Sequence, residues 1–83
     1  MDTEIYYVAK VNNDYLLVGT SFLDRWVSSR AGATHWTSEM SATQYVDNHR
    51  EEIIASHPFL KKQKGLSYLK IVKVTVSVTE VTV

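Results

Sequence analysis

Residues 66–83 read LSYLKIVKVTVSVTEVTV, and this C-terminal stretch is the strongest indication of secondary structure in the chain. It is rich in β-branched residues, which favour strands, and no Gly, Asn or Pro interrupts it. Side chains alternate between the two faces of a strand. The pattern therefore places four valines on one face of a C-terminal strand: Val72, Val74, Val76 and Val78.

The length of this stretch needs an explanation. Fully extended, residues 66–83 would span about 60 Å at roughly 3.3 Å per residue, whereas a domain of this size is about 25–30 Å across. Leu69 and Ile71 also lie out of phase with the valines. We therefore predict bends near 71–72 and 79–80, with a terminal hairpin or pairing to another chain as alternatives. The lack of turn residues disfavours the hairpin.

Upstream, the sequence predicts a β-hairpin. Residues 4–11 and 15–20 are rich in strand formers, and the Asn-Asn-Asp at 12–14 suits a tight turn. Residues 25–29 read as a third strand. Residues 33–37, ATHWT, fit either a short strand or one helical turn.

One helix is expected between this region and the last strand. Ser41 and Gln44 form a capping box, with Met40 and Tyr45 as a hydrophobic staple, so the helix should run over 42–56. Pro58 should end it, leaving 58–65 as a basic connector. Five residues share the predicted packing face: Ala42, Tyr45, Val46, His49 and Ile53.

These elements predict a single α+β domain over residues 1–83. The order is β-β-(β)-α-β, giving an antiparallel sheet of three to five strands with one helix packed on one face. The chain has 83 residues, no cysteine and zero formal net charge. Apolar packing, with or without a partner chain, must hold it together. The acidic N-terminus and the lack of cysteine favour a cytoplasmic location, and no apolar stretch is long enough to cross a membrane.

The sequence contains no motif for metal binding or catalysis. His49 and His57 are eight residues apart and His35 is remote, unlike the close pairs of zinc sites. Asp24, a histidine and a serine are the residue types of a catalytic triad, but no nucleophile motif accompanies them. We expect no enzyme activity, no metal and no cofactor.

Nucleic-acid binding is the alternative function. Lys61, Lys62 and Lys64 form a basic segment, and Arg25 and Arg30 flank aromatic residues able to stack on bases. Zero net charge argues against affinity dominated by phosphate contacts.

Protein binding is the preferred function, because the valine-rich strand leaves an uncharged edge that needs a cover. The partner is expected to be a second copy of the chain or another protein. The predicted partner-binding residues are the strand valines and two tryptophans: Val74, Val76, Val78, Val81, Trp26 and Trp36.

Three segments carry a resemblance to a known group of proteins. They are EIYYVAKVNNDYLLVG at 4–19, RWVSSRAGATHWTSEMSATQYV at 25–46 and LKIVKVTVSVTEVTV at 69–83. Together they resemble small uncharacterised proteins from phages and prophages of Gram-positive bacteria. The resemblance implies an accessory cytoplasmic protein, whose partner other than itself would be a host or phage protein. It implies no activity and no site residues.

Overall fold

The computed structural model describes residues 2–19, 25–79 and 82. Within these ranges the protein is an α+β domain with one antiparallel sheet, as predicted. The strands lie in the spatial order β3-β2-β1-β4. The described elements, in chain order, are β1 Asp2–Val11, β2 Asp14–Leu17, β3 Arg25–Val27, α1 Glu39–Asn48, α2 Arg50–Ser56, α3 Pro58–Gln63 and β4 Lys70–Val78.

The predicted hairpin is confirmed. Strands β1 and β2 pair antiparallel, with Lys10 opposite Tyr15 and Val11 opposite Asp14. Asn12 takes a φ of 53°, the left-handed conformation that Asn tolerates better than most residues. The undecided segment at 33–37 is extended rather than helical. Its Trp36 exchanges backbone hydrogen bonds of 2.9 Å with Tyr7, so it fills the gap where β2 diverges from β1.

The helical region begins three residues earlier than predicted. Ser38, not Ser41, is the N-cap, and its hydroxyl accepts a 3.1 Å hydrogen bond from the Ser41 N–H. Both serines suit a cap, and the choice of Ser38 adds Glu39 to the first turn, where a negative charge is favourable. Met40 is 69% exposed, so the predicted staple to Tyr45 is not supported.

The single helix predicted over 42–56 is divided at His49. Its ring Nδ1 and its backbone N–H both lie within hydrogen-bonding distance of the Tyr45 carbonyl, at 2.9 and 3.0 Å, and the chain leaves helical geometry there. The expected packing face is nevertheless confirmed. Ala42, Val46 and Ile53 are buried, while Tyr45 and His49 are half-buried.

The prediction of a connector after Pro58 was wrong. Pro58 begins the short helix α3 instead, because its missing N–H and fixed φ suit the first helical position. The ring of His57 accepts the N–H of Phe59 at 3.1 Å and caps this helix. Lys64 ends it in the left-handed conformation, with a φ of 55°.

The predicted bend near 71–72 is also wrong. Strand β4 pairs with β1 without interruption, from Lys70 opposite Lys10 to Val78 opposite Asp2. The change of phase has another cause, since Ile71 packs against the helices while Val72 packs on the other face of the sheet.

The extended part of residues 66–83 begins later than expected. The N–H of Leu69 donates to the carbonyl of Leu66, so residues 66–69 form a turn before the strand. The bend expected at Glu80 lies outside the described residues.

The sheet buries side chains on both faces. On one face, the helices cover a core of six buried residues: Ala9, Val11, Leu16, Val46, Ile53 and Leu60. On the other face, Ala33 covers Val8 and Val74 in a smaller cluster. The molecule is elongated, 49 Å long and 24 by 23 Å across, so the long β1–β4 ladder fits within one chain.

Candidate functional site

Strand β4 occupies one edge of the sheet. Its inner edge is paired with β1 over all nine residues, and no other described strand lies beyond its outer edge. The outer edge therefore presents a row of backbone N–H and C=O groups with no strand partner among the described residues. Such an edge is a template for pairing with another chain.

The side chains of β4 differ between its two faces. On the helix side, Lys73, Thr75 and Ser77 are exposed. On the opposite face the apolar residues form a stripe, in which Val74 is 5% exposed and the others are half-buried: Val72, Val76 and Val78. From Val74 to Val78 the strand carries no charge, so it lacks the charged residues that usually discourage edge pairing. Of the predicted partner-binding residues, Val74, Val76 and Val78 thus lie together, while Val81 lies outside the described part of the chain.

The two tryptophans have structural roles. The indole N–H of Trp26 donates a 2.8 Å hydrogen bond to the hydroxyl of Ser56, and its ring meets His57 edge-on at 4.8 Å. Trp36 packs against Tyr45 with ring centroids 5.7 Å apart. Both tryptophans are half-buried against the helix-side core, away from the outer edge of β4.

The residues of the nucleic-acid alternative are exposed but dispersed over several elements. Arg25 lies in β3 at the sheet edge opposite to β4, and Arg30 lies in the following loop. Lys61 and Lys62 lie on α3, and Lys64 caps it. Trp26, which the two arginines flank in sequence, is tied to Ser56 and is not a free stacking surface.

Sequence reasoning missed the contact between His57 and Asp14. His57 is 6% exposed, and its Nε2 lies 2.7 Å from Oδ2 of Asp14. Because its Nδ1 accepts the N–H of Phe59, the proton of the neutral ring lies on Nε2 and is donated to Asp14. Both ring nitrogens are therefore occupied, so in this arrangement His57 has no nitrogen available to act as a general base.

Other side chains of the types that catalysis or metal binding requires are also engaged locally. The hydroxyl of Ser56 donates to the Ile53 carbonyl at 2.6 Å, which leaves it no proton to give to a base. His35 stacks on Tyr6 with ring centroids 3.8 Å apart. In the described residues no three His, Cys, Asp or Glu side chains lie close enough to hold a metal ion, and Asp24 lies outside them. No helix in those residues is long and apolar enough to cross a membrane.

A second feature is a groove on the molecular surface beside the start of β4. Its volume is about 300 Å³, and it is lined by Lys10, Asn12, Tyr68, Lys70 and Val72. No motif in the sequence pointed to this groove, because Lys10 and Lys70 are brought together only by the register of β1 against β4.

Comparison with known proteins assigns no family to this chain. No family model, no curated protein and no solved structure matches it. The resemblance to phage and prophage proteins therefore stays a prediction, and function has to be inferred from the β4 edge and the surfaces beside it.

Proposed function

We propose that this protein is a non-catalytic protein-interaction domain that forms a homodimer by pairing the outer edge of β4 with the same edge of a second copy. The observation that supports this most directly is the nine-residue strand whose outer edge has no strand neighbour in the described structure. Two-fold dimers are the commonest oligomers, and a strand edge is complementary to itself in antiparallel pairing.

The register of such a pair follows from the length of the strand. Antiparallel pairing that uses all of Lys70–Val78 on both copies is centred on Val74, which then faces its own copy. In this register Lys70 lies opposite Val78, and Lys73 lies opposite Thr75. No lysine is directly opposite another, so the repulsion that like charges produce across a strand pair is avoided.

The same register also joins the apolar stripes. Val72 of one copy lies opposite Val76 of the other on the face that carries Val74. In the single chain, Val72 and Val76 are only half-buried. Cross-strand pairs of β-branched residues stabilise a sheet by about 0.2–1 kcal/mol each, and the dimer would extend the row of valines across the two-fold axis.

A pair of charge substitutions at Thr75 tests this arrangement. Thr75 is exposed and lies opposite Ile5 within the chain, so changes here should leave the fold intact. In the dimer, Thr75→Lys places a lysine opposite Lys73 of the second copy, twice by symmetry, and should shift the solution mass to that of a monomer. Thr75→Glu places an opposite charge there and should keep the dimer. Sedimentation equilibrium of both variants and the unchanged chain measures the mass.

The double variant Thr75→Lys with Lys73→Glu restores the opposite-charge pair and should recover the dimer. Thermal unfolding at high salt, where charge effects are screened, checks that the variants are equally folded. An unchanged chain that sediments as a monomer at all concentrations would contradict the homodimer. Loss of the dimer with both Lys and Glu at position 75 would contradict the Val74-centred register.

The resemblance to phage and prophage proteins supports a further part of the proposal, in which this domain is an accessory protein acting in the cytoplasm. A host or phage protein that supplies an edge strand is then the other candidate partner for β4. If the purified chain is monomeric and a captured protein protects the β4 amides from hydrogen exchange, that partner replaces the second copy.

A further inference from the structure

We propose that the groove beside the start of β4 binds the phosphate of a nucleotide, either free or within a single-stranded nucleic acid. The groove lies where β1 ends and β4 begins, and its five lining residues belong to one chain. The site therefore does not depend on the homodimer. Its volume of about 300 Å³ is at the small end of ligand pockets, which suits one phosphate with its attached base.

The central observation is an unneutralised pair of like charges. Lys10 and Lys70 lie directly opposite each other in the β1–β4 ladder, where like charges repel. Among the described residues, neither lysine lies within ion-pair distance of a carboxylate. An anion held between the two ammonium groups would convert this repulsion into two attractive contacts.

The side chain of Lys10 has one aromatic contact beside the groove. It is half-buried, and its Nζ lies 5.4 Å from the centre of the Tyr15 ring. Asn12, in the adjacent turn, adds an exposed amide able to donate a hydrogen bond to a phosphate oxygen. The groove thus combines two cations with a neutral donor.

Tyr68 supplies a surface for a base. It is 51% exposed, which is unusual for a large aromatic side chain, and it lines the groove. Its ring meets Phe59 edge-on, with centroids 5.0 Å apart, so one contact holds it while the rest faces solvent. A base stacked on a supported aromatic ring is the usual mode of single-strand recognition.

The distribution of charge supports an anionic ligand even though the net charge is zero. Residues 53–79 contain five lysines and no Asp or Glu. Three of these lysines lie on or cap α3, which leads into the turn that carries Tyr68. Asp14, in the hairpin that carries Asn12, accepts a hydrogen bond from His57.

The test measures fluorescence anisotropy of a fluorescein-labelled oligothymidylate of about 12 nucleotides at about 50 mM salt, where screening is weak. Lys70→Gln should weaken binding about tenfold, because it removes one of two phosphate contacts. Lys73→Gln is the matched control. It removes the same charge three residues further along, on the opposite face of β4, and should weaken binding less than about threefold.

Tyr68→Ser should weaken binding about tenfold, as Lys70→Gln does, whereas Tyr68→Phe should retain affinity within about twofold. Competition by adenosine monophosphate would show that free nucleotides share the groove, and its failure would assign the groove to a nucleic-acid strand. Absence of binding by both the oligonucleotide and adenosine monophosphate would overturn the proposal. Equal losses of affinity for Lys70→Gln and Lys73→Gln would also overturn the proposal, because binding would then depend on overall positive charge and not on the groove.

Discussion

His57 donates a 2.7 Å hydrogen bond from its Nε2 to Oδ2 of Asp14, and this contact joins the sheet to the helices. Asp14 is the first residue of β2, while His57 lies between α2 and α3. The other ring nitrogen accepts the N–H of Phe59 and begins α3. One buried side chain therefore fixes both the position and the start of a helix.

Replacing Asp14 by alanine should destabilise the protein by about 1–3 kcal/mol, because the buried N–H of His57 loses its acceptor. Urea unfolding followed by circular dichroism measures the change. Asp47→Ala is the control, since Asp47 is exposed on α1 and its loss should change the free energy of unfolding by less than about 0.5 kcal/mol. Equal effects of the two substitutions would contradict a special role for Asp14.

The position of the helix cap can be tested with two serines three residues apart. Ser38→Ala should cost about 1 kcal/mol, because the N–H of Ser41 loses the hydroxyl that caps it. Ser41→Ala should cost clearly less, since its hydroxyl only accepts an exposed hydrogen bond from Ser38. Thermal unfolding of the two variants provides the comparison, and a larger effect at Ser41 would place the cap where the sequence had suggested.

The variant Trp26→Phe tests whether Trp26 stabilises the fold or contacts a partner. The substitution removes the indole donor to Ser56 and part of the packed ring, so stability should fall by about 1–3 kcal/mol. The solution mass should not change, because Trp26 lies away from the β4 edge. A variant with unchanged stability and a lower mass would instead make Trp26 a residue of the interface.

The sequence predicted correctly the elements that depend on residues close together in the chain. The hairpin was found because Asn12 and its neighbours suit a tight turn between two runs of strand formers. The buried face of the helical region was found because the apolar residues recur at helical spacing, although the helix is divided at His49. At His49 the backbone leaves helical geometry, with a φ of −119° and a ψ of 26°, and the periodicity of the apolar residues does not reveal this.

The remaining errors have two causes. In some places two nearby residues suited the same role equally well, and in others the structure depends on contacts between residues far apart in the sequence. Ser38 and Ser41 are both good caps, and Pro58 can either end one helix or begin the next. Ile71 and Val72 looked like a register break because the pattern alone does not show that the helices cover the start of β4 at Ile71 while Val72 packs on the other face of the sheet.

The candidate sites were only partly predictable. The valine stripe follows directly from alternation, so Val74, Val76 and Val78 were identified from the sequence. The pairs Lys10–Lys70 and Asp14–His57 were not, because each joins residues that only the tertiary fold brings together. Residues 53–79 contain five lysines and no Asp or Glu, but only Lys70 of these five lines the groove, so charge distribution along the sequence did not locate it.

The pairing of β1 with β4 has a consequence for the order of folding. About 60 residues separate the end of one strand from the start of the other, so the ladder closes a large loop, and we expect it to form late. The hairpin and helices can organise earlier. Until the ladder closes, β1 and the valines of β4 remain exposed, and this is the stage at which chains are most prone to aggregate. Rapid dilution to low protein concentration should therefore improve the yield of refolding.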